Sequence, residues 1–202
     1  MIVVDTNVAS ELMRPSPSEL VRDWMISQAA GELYTTAITV AEIRYGLERL
    51  ADGRRKDRLK AAADEVFTAF SDYVLPFDAD AAIHYALVVI RRDGAGLPIE
   101  GFDAQIAAIC RTHGAALATR IVKDFLESGI DVIDPWQSSL GDLGACPDVD
   151  PNVRSSGVRS GTSPQRFAQF RQVTLRGAGE LRHSIPPPAR MAARDPRLKF
   201  RS

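Results

Sequence analysis

Four acids in the chain are spaced so that they could share one task. Asp5 ends the run "MIVVDTNV", Glu42 lies in "TTAITVAEI", Asp103 in "GFDAQIAAI" and Asp124 in "LATRIVKDF". Carboxylates brought together repel one another, and one of them is pushed to hold a proton unless a cation neutralises the group. An oxygen-only donor set suits Mg2+ or Mn2+. Such an ion lowers the pKa of a bound water, aligns it for in-line attack on a phosphodiester and stabilises the departing oxygen. The pattern therefore points to a metal-dependent nuclease or phosphatase.

Each acid also has an ordinary structural reading. Thr39-x-x-Glu42 fits a capping box, Asp103 fits the N-cap of an apolar helix, Asp5 fits the cap of a helix beginning near Val8, and Asp124 fits a solvated loop. Their joint placement favours chemistry. Competing chemistries find less support. There is no Gly-x-x-x-x-Gly-Lys loop and no Gly-x-Ser-x-Gly elbow. An aspartyl-phosphate phosphatase needs a second acid two residues after Asp5, where Asn7 stands. His84, His113 and His183 lack ligand spacing, and the two cysteines, Cys110 and Cys146, support neither a disulfide framework nor a zinc site.

The elements that must position these acids can be read from periodicity. Apolar runs at 2–4, 33–36, 73–76, 115–118 and 131–133 predict strands. Between them, 39–50, 56–70, 79–92 and 103–113 carry apolar residues at helical spacing, as in Val40, Ile43, Leu47 and Leu50. Strand and helix in alternation predict a three-layer α/β/α sandwich with a mostly parallel sheet of about five strands, because parallel neighbours need crossover helices. Acids following successive strands would then meet at the carboxyl edge, where open sheets place their sites.

The pattern stops near residue 137, which sets a domain over 1–137 and a Gly/Ser/Pro/Arg-rich tail over 138–202 that is expected to be disordered. Charge divides similarly: residues 1–140 hold 14 basic against 21 acidic side chains, and 141–202 hold 11 against 5. No basic leader precedes the first strand and no apolar run approaches a membrane span, so a cytoplasmic protein without membrane contact is expected.

With those residues in view, "MIVVDTNVASELMRP", "TTAITVAEIRYGLERL", "FDAQIAAIC" and "LATRIVKDF" followed by "IDVIDPW" closely resemble the PIN-domain ribonucleases of the VapC/FitB toxin type, over residues 1 to about 137. The resemblance implies an Mg2+-dependent (or Mn2+-dependent) endoribonuclease acting as the toxin of a type II toxin–antitoxin system. It implies RNA as substrate, a homodimer, and a cognate antitoxin that blocks the pocket, with operator DNA met only through that antitoxin. Asp5, Glu42 and Asp103 match the family's metal-site acids, and Asp124 matches a later, more variable position. Thr6 and Asn7 would support the first acid, and Thr119 looks like the hydroxyl facing the pocket.

One position departs from the family. After Thr119-Arg120 it usually carries Asn or Asp, whereas this chain has Ile121, which can bind neither metal nor water. Asp124 as the fourth acid is one consequence. The other is a catalytically degenerate PIN-fold module that binds antitoxin or RNA without cleaving.

Other conspicuous residues have plainer expectations. The basic run 54–60 reads as a solvated face that could touch phosphates, and Arg44 and Arg120 could meet substrate or antitoxin carboxylates. Trp24, Trp136 and Phe102 are assigned to packing.

Overall fold

Neighbouring residues Val3 and Val4 are both fully buried, yet they belong to different cores. They sit on β1 (Ile2–Val4), and the pleat sends successive side chains to opposite faces. A strand buried on both faces has no room for a polar residue, which explains the unbroken apolar run.

In the computed structural model, which describes residues 1–29 and 31–137, β1 is the middle of five strands. The others are β2 (Leu33–Thr36), β3 (Val74–Leu75), β4 (Ala116–Ala118) and β5 (Val132–Ile133), and the order is β3-β2-β1-β4-β5 with every pairing parallel. The expected parallel three-layer sandwich is thus observed. The expectation of a disordered tail over 138–202 lies outside the described residues.

The helices fill the crossovers. α1 (Thr6–Leu12) and α2 (Glu19–Ser27) join β1 to β2, α3 (Ala37–Glu48) and α4 (Arg54–Ala69) join β2 to β3, and α5 (Ala79–Gly94) and α6 (Gly101–His113) join β3 to β4. A single 3-10 turn at Val122–Phe125 precedes β5. Val8, Leu12, Trp24, Met25, Ile43, Val66 and Phe70 pack from α1–α4 onto one face, with Val4 and Ala118. Val88, Ile106 and Ile109 pack from α5 and α6 onto the other, with Val3 and Leu117. Each large side chain removed from water contributes about 1.5–3 kcal/mol, so these two layers dominate stability. Among the described residues no helix is long and apolar enough to cross a membrane.

Local readings need correction at three helix starts. α3 begins at Ala37, not at Thr39: the last residue of β2, Thr36, turns into the cap and its Oγ1 accepts the Thr39 N–H at 3.0 Å. The Thr39/Glu42 capping box is therefore absent, and Thr39 is a buried residue of the first turn bonded to Thr36. α6 begins at Gly101 with Glu100 at the cap position, so Asp103 is not an N-cap but lies inside the first turn. Asp5 does cap α1, which starts at Thr6 rather than near Val8. The helix that the sequence reading did not expect, α2, is short and covers one end of the first core through Val21, Trp24 and Met25.

Thr36→Ala tests the strand-to-helix junction. Losing a side-chain cap is expected to cost about 1 kcal/mol. The denaturant midpoint should fall accordingly while the sheet signal in circular dichroism is retained; an unchanged midpoint would show that the cap contributes nothing.

Candidate active site

The strand order reverses between β1 and β4, because the chain runs outward from β1 to β3 and then returns to the far side of β1. At such a switch point the connections diverge and leave a crevice at the carboxyl ends of the strands. Asp5 follows β1 there and Thr119 follows β4.

Asp5 is 3% exposed and its two oxygens accept from three donors. Oδ1 takes the Thr6 backbone N–H at 2.6 Å, and Oδ2 takes Asn7 Nδ2 at 2.9 Å and the Thr119 hydroxyl at 2.7 Å. The chain from the far side of the switch point continues the network, since the Ile121 N–H donates to Thr119 Oγ1 at 3.2 Å. Thr6 has a second role: its hydroxyl donates to Glu42 Oε2 at 2.6 Å. One dipeptide, Asp5-Thr6, thereby holds the acid of α3 beside the acid of β1.

The electrostatics bring the other two acids in. Burial pushes Glu42 above the usual carboxylate range, the Thr6 hydrogen bond opposes that, and the negative charge of Asp5 adds to it. Asp103 is pushed up to about 7, first by burial and then by the charges of Asp5, Glu42, Asp124 and Glu100. Among the described residues no lysine or arginine forms an ion pair with Asp5, Glu42, Asp103 or Asp124. Four acids gathered from distant positions thus share one field, with no ion-paired lysine or arginine among the described residues. Glu100, one turn before Asp103, adds to the same field and had no signal in the sequence beyond its charge.

Among the described residues, no three His, Cys, Asp or Glu side chains already stand as a metal-binding group. Donor chemistry is nonetheless that of a hard divalent ion: only oxygen ligands, and a repulsion that such an ion relieves. By charge and donor type the acids fit Mg2+ or Mn2+.

The remaining expectations divide. Ile121 is 37% exposed and contributes its backbone to the Thr119 bond. Asp124 is half-buried on the 3-10 turn rather than a free solvated loop residue. Trp24 is buried as expected, whereas Phe102 is 42% exposed and does not pack, because it lies on the outer side of the first turn of α6. Arg120 stacks 5.5 Å above the half-buried Trp136 ring. Arg44 is engaged by Asp64 at 2.6 Å and lies over Phe67. In the basic run, Arg54, Arg55 and Arg58 are exposed, but Lys56 is buried and pairs with Asp52 and Glu48. His84 is half-buried, with Nδ1 lacking a partner among the described residues, and His113 is exposed. Cys110 is a free, fully buried thiol whose pKa burial drives far up, which makes it inert.

A small parallel α/β domain with hydroxyl-braced acids at its topological switch point is the class of protein defined by this geometry. The PIN domain model matches residues 2–120, and the chain belongs to the PIN-domain family. It is 41% identical over 138 residues to VapC ribonuclease Y4jK of Sinorhizobium fredii, covering 68% of this chain and 99% of that one. It is 36% identical over 137 residues to Toxin FitB of Neisseria gonorrhoeae, covering 67% and 99%. The structure of FitAB bound to an IR36 DNA fragment superposes with a TM-score of 0.64 at 36% identity, over 69% of this chain and 98% of that one.

Proposed function

We propose that this protein is a Mg2+-dependent or Mn2+-dependent endoribonuclease and the toxin of a type II toxin–antitoxin pair. The observation that carries the reading is the hydrogen-bonded pair of acids at the switch point, Asp5 held by Thr6, Asn7 and Thr119 and joined through the Thr6 hydroxyl to Glu42, with Asp103 and Asp124 in the same negative field. The names of its relatives, a VapC ribonuclease and a FitB toxin, agree with it. The similarity to the FitAB complex bound to a DNA fragment agrees with a partner protein, and the proposed partner is a cognate antitoxin, with operator DNA met only through it.

Asp5, Glu42, Asp103 and Asp124 would hold the ion, which when bound supplies Lewis-acid chemistry toward a water molecule and the scissile phosphodiester. Thr6, Asn7 and Thr119 hold the oxygens of Asp5 and Glu42 in place by hydrogen bonds. Fixing those oxygens beforehand removes reorganisation from the reaction step. Asp124 takes the part that Ile121 cannot, because its charge already acts on Asp103.

The test is incubation of the full-length protein with total cellular RNA in Mg2+ or Mn2+. Discrete fragments that vanish with a chelator are expected. Ile121→Asn is run beside it: unchanged cleavage would show that Asp124 suffices, and cleavage by the Asn variant alone would mark a domain that has lost a ligand. No cleavage by either folded protein would sink the nuclease reading and leave the non-cleaving binding module.

A further inference from the structure

Arg92 lies near the end of α5 and is 3% exposed. A guanidinium so deep in a domain is expected to meet a carboxylate, since an unpaired buried charge is costly. Among the described residues no ion pair involves it. Its Nη1 donates instead to the backbone oxygen of Leu126, its Nη2 to that of Pro98 at 3.4 Å, and its Nε is buried with no partner among the described residues. The Arg92 carbonyl also accepts the Leu97 N–H at 2.9 Å, which ties the Pro98 segment down from both ends of the residue.

The two carbonyls belong to different approaches to the acidic crevice. Leu126 lies two residues after Asp124, and Pro98 five residues before Asp103. The turn containing Leu126 is gripped by two further arginines: Arg111 Nη1 donates to the Ser128 carbonyl at 3.0 Å, and Arg91 pairs with Glu127 at 3.0 Å. Glu127 itself has φ 58°, a left-handed conformation that an acidic residue rarely adopts. Of the three arginines, only Arg92 reaches the Pro98 segment as well.

We propose that Arg92 is a positioning residue, a backbone strap that fixes the segment presenting Asp124 to the segment leading into Asp103 and so sets the spacing of those two acids. The strap requires the guanidinium fork. Its two terminal nitrogens can serve two carbonyls at once, whereas the single ammonium of lysine can serve one of them well. The functional consequence rests on the reading of these acids as ligands of a divalent ion; the strap itself does not.

The experiment compares the full-length protein with Arg92→Lys, Arg92→Gln and Arg111→Lys. Arg111→Lys is the control because it loosens the same turn without touching Pro98. In metal-free protein, amide exchange should accelerate in both 97–104 and 122–128 for the Arg92 variants, but only in 122–128 for Arg111→Lys. In a calorimetric titration with Mn2+, the Arg92 variants should bind about tenfold more weakly, the size usual for a residue that orients ligands, and Arg111→Lys within about twofold. Exchange that accelerates in one segment alone, or Mn2+ binding unchanged in the Arg92 variants, would overturn the proposal. If both Arg92 variants fail to fold while Arg111→Lys folds, the role is merely structural and the proposal falls. If the parent protein binds no Mn2+ but exchange responds in both segments, the strap stands and the metal reading fails instead.

Discussion

Asp5→Asn is expected to reduce RNA cleavage by at least about 10²–10³-fold while leaving the domain folded. Substituting a residue that merely orients a metal ligand typically costs 10–100-fold, and Asp5 would be a ligand itself. The substitution also turns one of its acceptors into a donor. Oδ2 now receives the Thr119 hydroxyl and Asn7 Nδ2; an amide nitrogen there would face two donors, and an amide oxygen there would turn its nitrogen toward the Thr6 N–H that Oδ1 now accepts. Mismatched buried hydrogen bonds of this kind cost about 1–3 kcal/mol, and relief of repulsion with Glu42 and Asp103 offsets part of that. The measurement is initial cleavage rate at matched folded concentration. A variant within tenfold of the parent would remove Asp5 from the chemistry.

Asp103→Asn should make the metal-free protein more stable above neutral pH while leaving it unable to use a cation. The sign follows from the folded-state pKa of about 7 against the ordinary aspartate value of 3.8. Between those values the folded state keeps a proton that the unfolded chain releases, so the stability of the parent falls as pH rises from about 4 to 7 and then levels off. At about 1.4 kcal/mol per unit the full effect is on the order of 4 kcal/mol, and partial solvent access reduces it to roughly 2–3 kcal/mol. Thermal unfolding from pH 4 to 8 in a chelator should show this slope in the parent and lose it in Asp103→Asn. Saturating Mn2+ should then raise the melting temperature of the parent at pH 8 and do little to the variant. A parent whose melting temperature does not fall across that range would refute the coupling.

Much of the fold was legible because the sheet is buried on both sides. Ile2-Val3-Val4 must be uniformly apolar to serve two cores, and a uniform run ending in Asp-Thr-Asn is visible without coordinates. Three of the candidate acids were placed by the same logic, since Asp5, Glu42 and Asp124 follow β1, β2 and β4, whereas Asp103 follows α5 and comes off no strand, contrary to the expectation of acids on successive strand ends. The helix starts were not. Whether Thr36 or Thr39 caps α3 depends on where β2 stops, and β2 stops where its register with β3, Thr36 against Leu75, runs out. Phe102 looked like core because it is aromatic beside an apolar helix, but only the seating of α6 decides which side of the first turn faces water. Arg92 was hidden by its neighbour: two adjacent arginines near a helix end read as one solvated pair, yet Arg91 is exposed and Arg92 is not.

The bond from Thr119 to Asp5 joins residues 114 positions apart, and Thr119 is itself anchored by its N–H to Ile133 at 2.9 Å. On the ribosome, Asp5 emerges first and must wait for nearly the whole domain before its crevice has a second wall. A contact of such long range closes late, because the intervening chain has to be ordered first. The crevice proposed to hold the ion therefore stays incomplete through most of the chain's own synthesis.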